Sequence, residues 1–375
     1  MVWLEDPSLR DLDDLILSSE NQFRFHLITA MFPPPMILMR LRNVFLSGLA
    51  VIAAAANVNA QDLLTQFQPP LRATWDQPLS AVDRAKVDLG KKLYFEKRLS
   101  RDNSLSCNSC HGLDNYGVDG RKFSIGFDGY VVGRNSPTVL NAFGHIAQFW
   151  DGRASTVEEQ AKGPILAGGE MAMPSPEAVV KKLKGIKEYG PLFKAAFPEA
   201  KDPLTYDNVG NAIGAFERLL ATPARWDLYL QGHDNALTPV EKQGLKRFAE
   251  LGCTTCHTGT LVGGDRYQKL GLVKAWPNQK DQGRYAITKK AADKMFFKVP
   301  SLRNIEKTGP YFHDAVSTKL ADAVQKMAWH QLGKELSDKD TKAIVAFLKT
   351  LTGELPEHLT KPSAAKAGGA AKSFE

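Results

Sequence analysis

The sequence predicts a mostly α-helical protein built as two tandem domains of one kind. Three observations carry that prediction. Apolar residues recur at helical spacing in several stretches, with no sustained apolar/polar alternation competing with them. The pattern Cys-x-x-Cys-His occurs twice, as Cys107-Asn108-Ser109-Cys110-His111 and Cys253-Thr254-Thr255-Cys256-His257, and uses all four cysteines of the 375-residue chain. The string Ala212-Ile213-Gly214-Ala215-Phe216 returns as Ala343-Ile344-Val345-Ala346-Phe347, each copy lying some way after one of those patterns.

In chain order, residues 1–35 are mixed and acidic, which suits nothing upstream of an export signal, so the true start is expected at Met36 or Met39. From Met36 the chain reads as a secretory signal peptide. Arg40 and Arg42 precede an apolar run from Val44 to Ala56, and Val58-Asn59-Ala60 supplies short residues for cleavage after Ala60. The run is shorter than the roughly 18 to 20 residues a membrane span needs, so no permanent anchor is expected. Export places the protein in the periplasm. The mature chain would hold about 315 residues and a formal charge of about +9, against +7 for the whole sequence. With no basic cluster interleaved with aromatics, that balance supports no nucleic-acid partner.

The next elements are helical. Residues 81–96 carry Val82, Ala85, Leu89, Leu93 and Tyr94 at helical spacing. Thr238-Pro239-Val240-Glu241 is a capping box with proline at the first helical position, and Ser337 opens a helix with Ile344, Phe347, Leu348 and Leu351, stopped near Gly353. An exported chain with four cysteines ordinarily suggests disulfides. The Cys-x-x-Cys-His spacing instead marks covalent haem attachment: two thiols about one turn apart add to the porphyrin vinyl groups, and the adjacent histidine is held as iron ligand. A thioredoxin-like pair wants a βαβ setting and a zinc site wants a closer Cys/His quartet, so both readings are weaker. The result is two cytochrome-c-like haem domains in tandem, the string at Ala212 and at Ala343 being the last helix of each. The expected organisation is an upstream segment plus signal peptide over 1–60, a first haem domain over 61–222, a second over 223–353, and a flexible tail over 354–375.

Between the two motifs the chain resembles the bacterial di-haem cytochrome c peroxidases. The resemblance lies in Ser124-Ile125-Gly126, Arg134-Asn135-Ser136-Pro137-Thr138, Ala147-Gln148-Phe149-Trp150-Asp151-Gly152-Arg153, Gln160-Ala161-Lys162-Gly163-Pro164 and Glu170-Met171. Val299-Pro300-Ser301-Leu302-Arg303-Asn304, Pro310-Tyr311-Phe312-His313-Asp314 and Met327 extend it through the second half. It implies two covalently bound haems c. The haem on Cys107, Cys110 and His111 would be the low-potential peroxidatic centre, with Glu170 as catalytic carboxylate and Gln160 hydrogen-bonding the bound peroxide. The haem on Cys253, Cys256 and His257 would take Met327 as sixth ligand and receive electrons from a c-type cytochrome or cupredoxin. Trp150 would mediate transfer between the haems. Asn135, Thr308 and Pro310 would bind a calcium ion, and the protein would be a homodimer reducing hydrogen peroxide.

One departure from the family pattern bears on activation. Where many members carry a histidine after Ser-Ile-Gly that caps the peroxidatic iron at rest, this chain has Phe127. Phenylalanine cannot ligate iron, so an iron open before any reduction is expected; His145 and Tyr130 are the substitute ligands within reach in sequence. Two other classes stand beside the peroxidase. One is a MauG-like enzyme oxidising a protein substrate, which carries tyrosine where this chain has Met327. The other is a non-enzymatic di-haem electron carrier, with both irons six-coordinate.

Overall fold

The computed structural model describes residues 60–68, 79–355 and 357–362, so the expected upstream segment and signal peptide lie outside the described residues. The first half comprises α1 (Ala60–Leu64), α2 (Ala81–Tyr94), α3 (Cys107–Cys110), α4 (Val157–Leu166), α5 (Pro176–Lys184), α6 (Tyr189–Ala196) and α7 (Tyr206–Glu217). The second comprises α8 (Arg225–Leu230), α9 (Pro239–Leu251), α10 (Tyr285–Thr288), α11 (Leu320–Leu332), α12 (Asp338–Lys349) and α13 (Glu357–Thr360). Strands β1 (Tyr267–Lys269) and β2 (Phe296–Lys298) pair antiparallel with Gln268 opposite Phe297. The chain is mostly α, as its periodicity predicts. No described helix is long and apolar enough to cross a membrane.

Local chemistry sets the helix starts. Ser80 accepts from the Asp83 N–H at 3.1 Å to open α2, and Ser337 does the same for Asp340 at 3.1 Å to open α12. At α9 the Glu241 carboxylate accepts from the Thr238 N–H at 2.8 Å, closing the expected capping box. Helix α2 buries Val87, Leu89, Gly90, Leu93 and Tyr94. Val82, expected on that face, is 39% exposed, because the first turn of α2 lies before the point at which the next helix crosses it.

That crossing explains the repeated string. In the first half a Cβ on Gly90 of α2 would overlap the Ala212 carbonyl and meet Phe216, both on α7. In the second half a Cβ on Gly244 of α9 would overlap the Ala343 carbonyl and meet Phe347, both on α12. Glycine costs a helix roughly 1 kcal/mol relative to alanine; here it lets two helix backbones touch. The two copies of the string are therefore the same packing event.

Each crossing organises a core. Leu89, Leu93, Leu113, Tyr189, Phe193 and Phe216 fill the first; Trp226, Leu245, Phe248, Ile344, Phe347 and Leu351 fill the second. The chain ends cross over. Leu63 and Phe67, at the N-terminal end of the described residues, pack in the second core, with the Phe67 ring 5.1 Å from Trp226. Leu359 packs in the first core at 5% exposure, so order extends into residues the sequence reads as a loose tail.

Polar contacts tie the halves. Thr222 donates its N–H to the Asn141 side-chain oxygen at 3.0 Å and accepts at its hydroxyl from Asn141 and Asn304, each at 2.8 Å. Asn304 in turn accepts from the Gly353 N–H at 3.0 Å. Arg134 binds Asp151 at 2.6 Å and Asp281 at 2.6 Å. Within the second half, buried Arg303 makes paired hydrogen bonds to buried Asp227 at 2.7 and 3.0 Å.

Candidate functional site

Both Cys-x-x-Cys-His segments fold as single turns at the end of a connecting loop or helix. Ser106 and Ser109 cap α3 reciprocally, while Gly252, with φ +98°, lets α9 stop and the Cys253–Thr255 turn begin. The four cysteines are unpaired. Burial pushes the Cys253 thiol up to about 12 and the Cys107 thiol up as well, away from the thiolate form of a reactive cysteine. Among the described residues no group of three or more His, Cys, Asp or Glu is arranged for a metal ion.

The histidines fit an iron ligand. Nδ1 of His111 lies 3.3 Å from the Gly117 carbonyl, and Nδ1 of His257 lies 3.3 Å from that of Val262. A proton on Nδ1 donated to a carbonyl leaves the Nε2 lone pair free for a metal. Burial pushes His257 down to about 4 and lowers His111, keeping both rings in the neutral, ligating form. The residues present fit a thioether-linked haem at each motif.

Beside the second motif is a largely apolar cavity of about 310 Å³ bordered by Cys253, Cys256 and His257. Met327, on α11, lines the same cavity, as do Trp150, Asn135, Thr308 and Pro310. Trp150 is fixed at both ends. Its indole N–H donates to the Asn135 carbonyl at 2.8 Å, and its own carbonyl accepts from the Lys298 N–H at 2.8 Å. The Asn135 amide nitrogen is held by the Arg121 carbonyl at 2.9 Å, which fixes the orientation of its side-chain amide. Asn135, Thr308 and Pro310, distant in sequence, are thus neighbours of one cavity.

Glu170 lies elsewhere, on a second pocket shared with Phe149, Arg153, Gly163 and Pro164. Burial raises the Glu170 carboxyl above its ordinary value, and the Arg153 charge opposes that rise. Arg153 stacks over the Phe149 ring at 3.4 Å and is held by Asp151 at 3.1 Å. Gln160, half-buried on α4, is one helical turn from Gly163 and Pro164. The Ser124-Ile125-Gly126 string runs against this site: a Cβ on Gly126 would overlap the Gly169 carbonyl. The Phe127 N–H donates to the Glu170 carbonyl at 2.8 Å.

Of the two substitute ligands for the first motif, His145 lies on the cavity of the second motif, beside Lys298 at 3.0 Å. Tyr130 is 59% exposed, its ring against Gly169. The sequence reading singled out neither Arg153 nor Lys298 by itself. Arg153 closes the Trp150-Asp151-Gly152-Arg153 string. Lys298 carried a signal of its own, a lysine enclosed by Phe296, Phe297 and Val299, where a surface charge is out of place.

Comparison with known proteins bears on the same segments. Residues 84–235 match the family model described as di-haem cytochrome c peroxidase, and residues 242–352 match the cytochrome c model. The cytochrome c551 peroxidase of Pseudomonas aeruginosa is 46% identical over 286 residues, 75% of this chain and 81% of that protein. The cytochrome c551 peroxidase of Nitrosomonas europaea is 43% identical over 286 residues, 75% of this chain and 85% of that protein. A solved MauG-like protein associated with microbial copper homeostasis shares the fold with a TM-score of 0.66 at 28% identity, covering 79% of this chain and 96% of that one. With two haem-c attachment turns, two cytochrome-c-like cores and near full-length relatives of this kind, the chain belongs to the di-haem cytochrome c peroxidase family and is an enzyme of the cytochrome-c peroxidase type.

Proposed function

We propose that this protein is a periplasmic peroxidase, a homodimer, that reduces H₂O₂ with two electrons and two protons to two waters, and that it does so without prior reductive activation. The observation that carries the reading is the Phe127–Glu170 contact. The segment that holds a capping histidine in many members is bound to the carboxylate segment, yet offers no ligand. Haem held by His111 supplies an iron that binds peroxide and accepts electrons. Glu170 takes the proton from one peroxide oxygen and returns it to the other as the O–O bond breaks, a role that suits a half-buried carboxyl open to a pocket. Gln160 orients the peroxide by hydrogen bonding.

His257 and Met327 would hold the second haem, the Met327 thioether would favour its reduced state, and a c-type cytochrome or cupredoxin would supply the electrons. Trp150, fixed between Asn135 and Lys298, carries them inward. Asn135, Thr308 and Pro310 would hold a calcium ion at this junction, since together they offer oxygen donors suited to a hard cation. Met327 in place of tyrosine supports the peroxidase over MauG-like oxidation of a protein substrate. A carrier without catalysis has no use for Glu170 on an open pocket.

The test is peroxide turnover by the fully oxidised protein with a small reduced donor, with and without pre-reduction. Turnover from the first mixing, and a loss of roughly 100-fold or more in kcat for Glu170→Gln, are the expected results. A protein silent until pre-reduced, or one whose ferric spectrum is wholly low-spin, overturns the open-iron reading.

A further inference from the structure

Lys298 ends β2 at 7% exposure, and its backbone N–H is already committed to Trp150. Among the described residues its ammonium has one side-chain hydrogen-bond partner, Nδ1 of His145 at 3.0 Å. An ammonium only donates, so Nδ1 accepts and the ring proton sits on Nε2. That Nε2–H is buried and has no partner.

No carboxylate of the described residues answers the charge. Among the described residues Lys298 is in no ion pair, and burial alone pushes its ammonium down to about 8, with no acidic neighbour holding it up. His145 is likewise lowered, by burial and then by the Lys298 charge. A buried cation beside a buried, unanswered N–H is an arrangement that calls for an anion. Gly264 makes the room: a Cβ there would press on the His145 ring. Lys298 and His145 both line the cavity that holds Cys253, Cys256 and His257, and the acid groups that a haem brings to such a cavity are its propionates.

We infer that Lys298 and His145 together seat a propionate carboxylate of the haem attached at Cys253 and Cys256. One carboxylate has lone pairs enough to accept from both the ammonium and the Nε2–H. The assignment rests on the haem seat and not on peroxide chemistry. It has an electrostatic consequence: a cation held against that haem favours the ferrous state, because reduction removes a positive charge from the iron.

The experiment is a spectroelectrochemical titration of the holoprotein that resolves the two haems. Lys298→Met lowers the potential of the second haem by at least a tenfold change in its reduction equilibrium, about 59 mV for one electron. Lys298→Arg keeps it near the wild-type value, His145→Phe moves it in the same direction as Lys298→Met, and the first haem moves less. An unchanged second-haem potential in Lys298→Met overturns the inference, as does a shift confined to the first haem, which would give the carboxylate to that group instead. Two haems per chain by pyridine haemochrome in every variant separates failure of this assignment from failure of the two-haem reading. If Lys298→Met does not fold, Lys298→Gln with His145→Phe carries the same comparison.

Discussion

At the scale of single residues, the proposed role of Glu170 makes it and Arg153 the pair that would set the acid side of the activity. Burial raises the carboxyl, and Arg153, which stacks on Phe149, pulls it back. A proton acceptor must be ionised, so activity falls as pH drops through the Glu170 value. Arg153→Gln removes the opposing charge, lifts that value further, and moves the acid limb of kcat/KM to higher pH, while Arg153→Lys leaves it nearly in place. A limb that stays put in Arg153→Gln would show that the guanidinium has no hold on the carboxyl. The motif residues Cys107 to His111 and Cys253 to His257 were legible because their spacing is a chemical requirement of attachment. Glu170 was legible only through resemblance, since one carboxylate in a loop looks like any other. The Lys298–His145 pair was hidden: its partners are 153 residues apart and nothing local in either marks the other.

At the scale of elements, the sequence exposed the helices and their starts because caps and periodicity are local. It could not show that Gly90 and Gly244 do the same job, since the clash each avoids lies with a carbonyl far along the chain. Gly244→Ala therefore parts α9 from α12 and lowers stability by about 1–3 kcal/mol, despite the better helix propensity of alanine; thermal melts at fixed haem content measure it. Glu217 on α7 gives a pH-dependent case. Burial, with the Glu158 charge adding, pushes its carboxyl from the ordinary 4.5 to about 8. A group protonated in the folded chain at pH values where the unfolded chain has lost the proton contributes stability below about 4.5 that is lost as pH rises through about 8. Glu217→Gln keeps the neutral form at all pH, so its melting temperature exceeds the wild-type value by a margin that widens from pH 5 to 8. A constant margin refutes the assignment.

At the scale of the whole molecule, the tandem plan was readable from two motifs and one repeated string. The crossed ends were not, because Leu63, Phe67 and Leu359 lie in short stretches with too few apolar residues to announce a core. Phe67→Ala should cost about 3–5 kcal/mol, and calorimetry should find the loss in the half that holds Trp226, since Phe67 packs on that ring.

The crossing also imposes an order in time. A chain made from its N-terminus presents Leu63 and Phe67 long before Trp226 and Phe347 exist to receive them. The segment with Leu63 and Phe67 must wait, unplaced, until the residues of the second core arrive. The first core in turn stays short of Leu359 until residues well beyond the second haem turn arrive. Neither half reaches its final packing until the other is present, so a chain interrupted between the two haem turns lacks Leu359 for its first core and has no second core to receive Leu63 and Phe67.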